Sequence, residues 1–207
     1  MKYKRPSQLN QKAFTIVELM IATTILSTIL ILVTVMMVGI GNLFYKGVNQ
    51  ARVQDDVRTI SDDVSQHLQL SDSPPLASVS GDGTGVYCIG DTRYTYVLNQ
   101  QIGSANPHVL WRDSNPTPGS CAATDGFLNN TTPSPDGTEL IAPNSRLTYF
   151  NISLSSPYTI SIGVAYGDDD LLNLAGLNTT CKGSIGDEFC STATLTTTVV
   201  QRIANGS

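Results

Sequence analysis

Charge is scarce in this 207-residue chain, at 14% of positions, and between Phe14 and Phe44 the only formal charge is Glu18. Proline is missing from Pro6 to Pro74, so nothing in that interval forces a helix to break. Histidine is reduced to His67 and His108 without a paired spacing, and no CxxC occurs, which removes the usual ligand patterns of a structural zinc site. No GxSxG occurs, and neither histidine has a recognisable nucleophile partner, so no catalytic constellation is visible. The glycines of Gly81-Asp82-Gly83-Thr84-Gly85 are not followed by GK[ST] and read as a flexible turn, not a phosphate loop. Of the 12 basic residues, Lys2, Lys4, Arg5 and Lys12 precede the uncharged stretch, leaving eight against 17 acidic residues. That balance argues against a broad nucleic-acid-binding surface.

What is present is a long apolar run, Leu19 to Ile40, close to the roughly 20 residues that a bilayer-spanning helix needs. A secretory signal peptide also starts basic, but its apolar region is about 7 to 15 residues long and ends in a small-residue cleavage site. Basic residues before the run and an acidic chain after it place the start in the cytoplasm and the bulk outside. Glu18 is the anomaly, because a carboxylate inside hydrocarbon costs on the order of 3 kcal/mol unless it reaches headgroup water or meets a cation.

The stretch Lys12-Ala13-Phe14-Thr15-Ile16-Val17-Glu18-Leu19-Met20 resembles the processing site of type IV prepilins. Basic leader, small residue, Phe, Glu at the fifth mature position and a long apolar helix all occur in register over about the first fifth of the chain. The resemblance implies that a prepilin peptidase cuts between Ala13 and Phe14 on the cytoplasmic side and that Phe14 becomes the N-methylated first residue. Ala13 stands where Gly is usual; one added methyl implies slower processing at most. It also implies a role for Glu18 as an assembly contact, neutralising the new α-amino cation of a neighbouring subunit inside a packed helical core, where low dielectric strengthens the attraction.

Beyond the apolar run, Val53, Val57, Ile60, Val64 and Leu68 recur at helical spacing, one stripe suited to covering a sheet. Run and stripe together predict a rod of roughly 55 residues, about 80 Å long. Ser71-Asp72-Ser73-Pro74-Pro75 stops it, and Gly39, Gly41 and Gly47 are its expected weak points. After Pro75 the period changes to two. Tyr158 to Tyr166 alternates apolar with small or polar residues, Arg146 to Leu154 pairs with it through Ser155-Ser156-Pro157, and Thr194 to Ile203 is a third long strand. Shorter strands are expected at Val86 to Ile89, Arg93 to Leu98 and Val109 to Arg112. Loops are expected at Ala105 to Pro107, Asn115 to Gly119 and Asn129 to Gly137. The expectation is an α+β chain in which a long N-terminal helix packs on an antiparallel β-sheet head, as the resemblance also implies. The expected divisions are leader 1–13, transmembrane and assembly helix 14–44, amphipathic helix 45–72 and β-rich head 73–207.

Cys88, Cys121, Cys181 and Cys190 all follow the span, on the side that the charge rule places outside, where pairing is favoured. Three connectivities exist, and loop closure favours near partners, Cys181 with Cys190 and Cys88 with Cys121. The first pair bounds Lys182 to Phe189, and the resemblance implies a disulfide-bounded variable loop near the C-terminus. Asp168-Asp169-Asp170 lacks EF-hand spacing and reads as a solvated turn before a calcium site. Trp111 and the tyrosines read as packing of the head. No metal and no cofactor is expected.

The resemblance implies a structural subunit of a type IV pilus or of a type II secretion or competence filament, with no catalytic activity of its own. The size of the head and its long loops favour a minor pilin or pseudopilin. Its implied partners are the prepilin peptidase and N-methyltransferase, other pilin subunits, an inner-membrane assembly platform, the membrane before assembly, and nucleic acid only in a competence pilus. Its implied course runs from a single-pass membrane form to a cell-surface pilus or periplasmic filament. The rival reading is a single-pass membrane-anchored extracytoplasmic binding or adhesion protein that keeps its leader. A third, an anchored enzyme, lacks a site.

Overall fold

Apolar periodicity gives the first element its two characters. In the computed structural model, which describes residues 15–102, 108–115, 119–124, 127, 136–183 and 186–202, α1 runs from Ile16 to Leu70. The chain divides into two compact units, Met1–Leu43 and Phe44–Ser207. In the first, every large apolar side chain of α1 is exposed. In the second, α1 buries Val53, Val57, Ile60, Val64 and Leu68, the stripe of helical spacing. The helix passes Gly39, Gly41 and Gly47 without interruption, and a Cβ at any of the three would meet open space. At its end the Ser71 N–H donates to the His67 carbonyl at 2.9 Å, and the Ser71 hydroxyl donates to the Ser73 carbonyl at 2.8 Å.

The head is antiparallel throughout. A five-stranded sheet has the order β1 (Leu76–Val79), β2 (Thr84–Ile89), β3 (Thr92–Val97), β4 (Leu110–Ser114), β5 (Thr138–Glu139), a meander in chain order. A second sheet has the order β10 (Ser191–Val199), β7 (Tyr158–Tyr166), β6 (Ser145–Ile152), and β8 (Leu172–Asn173) pairs with β9 (Thr180–Cys181). The short strands β1, β5, β8 and β9 carry too few residues to show a period, so the pattern did not announce them. The third long strand begins three residues earlier than expected and ends at Val199, because Ser191 already pairs with Tyr166 and Val199 with Tyr158.

Both larger sheets contribute to one core with α1. Tyr87, Tyr94, Tyr96 and Phe150 cluster with ring centroids 5.2 to 6.5 Å apart, and around them lie Ile60, Val64, Leu147, Ile160 and Ile162. Gly85 in β2 lies against the Tyr96 ring, where a Cβ would collide with it. The register of β6 on β7 shifts between Leu147 and Tyr149, opposite Gly163, where a Cβ would stand 2.6 Å from the Thr148 hydroxyl oxygen. Acidic residues of α1 add polar ties. Asp63 accepts from the Tyr94 hydroxyl at 2.8 Å and pairs with Arg112, while Asp56 accepts from the Ser145 hydroxyl at 3.0 Å. The helix is therefore fastened to both sheets by carboxylates flanking its apolar stripe.

Candidate assembly helix and head site

The first turn of α1 explains where Glu18 stands. Thr15 precedes the helix, and its side-chain oxygen accepts from the Glu18 N–H at 3.2 Å. The Thr15 carbonyl also accepts from the N–H groups of Glu18 and Leu19 at 3.1 and 3.2 Å. Thr15-Ile16-Val17-Glu18 is thus the sequence of a capping box, with the carboxylate in the turn where the helix dipole favours an anion. The four residues carry this signal in the sequence alone. Ala13 and Phe14, the expected cleavage and N-methylation positions, lie outside the described residues.

Farther along, the hydroxyls that interrupt the apolar surface are satisfied inside the helix. Thr23 and Thr24 both donate to the Met20 carbonyl, at 3.0 and 2.7 Å. Ser27 donates to Thr23, Thr28 to Ile25 and Thr34 to Leu30, each at 2.8 Å. In hydrocarbon an unpaired hydroxyl is costly, and these internal bonds remove that cost from an otherwise apolar helix. The segment reaches a mean hydropathy of 2.4, which qualifies it by length and composition to cross a membrane.

In the head the sulfurs of Cys88 and Cys121 are bonded, as are those of Cys181 and Cys190. The first bridge ties the 119–124 segment to β2. Its neighbour Ala122 accepts from Arg93, whose guanidinium also grips Asp113 in two bonds of 2.8 and 2.6 Å. The second bridge closes a segment that returns to α1. Lys46 pairs with Asp187, the Asn49 amide donates to the Glu188 carbonyl at 3.1 Å, and the Gln50 amide donates to the Thr192 carbonyl at 3.2 Å. None of these contacts could be read from local pattern, since each joins residues about 140 positions apart.

Other candidate residues are occupied structurally. Asp169 pairs with the buried Arg146, whose guanidinium also donates to the Gly167 carbonyl at 2.8 Å, and the Lys182 ammonium donates to the Asp169 carbonyl at 3.2 Å. Among the described residues, no group of three or more His, Cys, Asp or Glu side chains could hold a metal ion. His67 shares a hydrogen bond of 3.1 Å with the Thr92 hydroxyl. His108 lies against Trp111, with ring centroids 4.4 Å apart, and its Nδ1 is 3.4 Å from a Glu139 carboxyl oxygen. Burial pushes the Glu139 carboxyl up to about 7, although the N–H groups of Val109, Leu110 and Ile141 donate to it. Burial also holds His108 below its ordinary range.

With this geometry in place, comparison with known families singles out one end of the chain: residues 8–34 match the prokaryotic N-terminal methylation motif. The chain carries a type IV pilin-class signal. The pilin-class segment covers the first turn, Glu18 and most of the apolar helix. The long helix and antiparallel sheets form an α+β architecture consistent with a pilin-like fold. The signal points to a pilin-like structural subunit and implies processing by a prepilin peptidase and association with other pilins. Motif and apolar helix together are consistent with membrane anchoring. No curated protein and no solved structure matches the chain.

Proposed function

We propose that this chain is a minor pilin or pseudopilin, a non-catalytic subunit of a type IV pilus or of a type II secretion or competence filament. The observation that carries the reading is the methylation motif over residues 8–34, which overlaps a helix whose apolar side chains are exposed from Ile16 to Phe44. In this reading residues 1–13 are a leader, 14–44 the transmembrane and assembly helix, 45–72 the amphipathic helix and 73–207 the head. The leader stays cytoplasmic and is cut between Ala13 and Phe14. Phe14 is then N-methylated, and the subunit leaves the bilayer for the filament through an assembly platform.

Glu18 serves twice. Before assembly the capped first turn holds it near the cytoplasmic interface. In the fibre it meets the α-amino cation on Phe14 of a neighbouring copy, where desolvation makes an unpaired charge of either sign costly. The test is the intact mass and N-terminal sequence of protein taken from its native membrane or sheared surface fraction. A chain beginning at Phe14, with or without an added methyl, is expected. A chain still beginning at Met1 in cells with active prepilin peptidase would leave a membrane-anchored binding protein as the better account.

A further inference from the structure

Where the apolar run ends, the second unit presents a small aromatic surface. Phe44, Tyr45 and Val48 lie on one flank of α1 and are 67%, 55% and 42% exposed. Phe189, from the segment closed by Cys181 and Cys190, is 50% exposed and sets its ring 6.0 Å from that of Tyr45. The Lys46–Asp187 ion pair and the Asn49 bond to the Glu188 carbonyl hold Phe189 there. A half-exposed phenylalanine fixed by two flanking ties presents a built apolar surface rather than a loose loop end.

Chain connectivity sets the height of this surface. Phe44 and Tyr45 follow Ile40 by four and five residues, a rise of about 6 to 7.5 Å in a helix. The polar layer outside the hydrocarbon is about 5 to 7 Å deep on each side of a bilayer. Aromatic side chains at that level sit in the interface with the apolar ring toward the lipid. We infer that Phe44, Tyr45 and Phe189 form an outer-leaflet interfacial anchor, through which the disulfide-closed segment meets the bilayer surface before assembly. The partner is the lipid interface itself. The inference rests on the reading of α1 as a membrane span and adds a lipid-binding role for a residue far from it in sequence.

Brominated lipids test it with the full chain in phosphatidylcholine vesicles at low protein density. Phe189→Trp and Phe44→Trp are compared with wild type, whose Trp111 supplies the baseline emission. For Phe189→Trp the added emission should move to shorter wavelength and lose more intensity to bromines near the glycerol end of the acyl chain than to bromines near its terminus. If Phe44→Trp is quenched and Phe189→Trp is not, the anchor is wrong while the span stands. Absence of quenching in both removes the anchor, and a chain that also fails to float with the vesicles removes the span. A Phe189→Trp emission that shifts only as protein density rises, without quenching, assigns the surface to a second copy of the chain and overturns the lipid proposal.

Discussion

Glu139 shows what burial does to a single charge. Its carboxyl is pushed from 4.5 to about 7 because desolvation outweighs the backbone N–H groups that donate to it. The folded chain therefore holds this proton more tightly than the unfolded chain. Stability contributed by the group is full below about pH 4.5 and is lost as the pH rises through about 7. Neighbouring His108 is pushed the other way, so its contribution falls as the pH drops below its ordinary 6.5, and wild type sums two opposed slopes. Glu139→Gln isolates the first. The stability of the variant minus that of wild type, from denaturant titration of the full chain in detergent, should increase from pH 4.5 to 7.5. The increase should be on the order of 2 to 3 kcal/mol; a flat difference would mean that the carboxyl ionises normally in the fold.

At the scale of elements, the second half of α1 is held by shape and by charge in separate ways. Ile60 is fully buried in the main core, and Ile60→Ala should cost about 2 to 5 kcal/mol through lost burial and the cavity left behind. Asp63→Ala removes no core volume but leaves the Tyr94 hydroxyl and Arg112 without their acceptor, at a cost of about 1.5 to 3 kcal/mol. Both losses are read as a lowered denaturation midpoint with unchanged slope. The apolar stripe was legible because an α-helix repeats every 3.6 residues and α1 covers its sheets with one face. The ties through Asp63 and Asp56 were not, since an acidic residue beside an apolar stripe has the same sequence signature whether it faces solvent or a tyrosine. Long strands were legible by alternation, whereas the two-residue strands β5, β8 and β9 exist only because a partner lies alongside.

On the scale of the whole molecule, the pilin-class segment and the head make different demands on the chain. Glu18→Ala leaves the head untouched and the Thr15 cap in place, so the variant should fold, insert and be processed. In the filament reading it should fail to enter fibres or enter them with wrong partners, as seen by comparing sheared fibre and membrane fractions. Normal incorporation would remove the charge pairing proposed for Glu18. What the sequence by itself determined is local and periodic: the apolar run, the lone carboxylate in register with Phe14, the helical stripe and the long alternating strands. Each follows from spacing along one element or from a motif that is matched as a linear string. Only the tertiary structure decided that Phe189 stands beside Tyr45, that Arg93 locks Asp113, and that Glu139 is partly shielded from water. Those depend on which distant segments the fold brings within a few ångströms, and it is that proximity which sets desolvation and pairing.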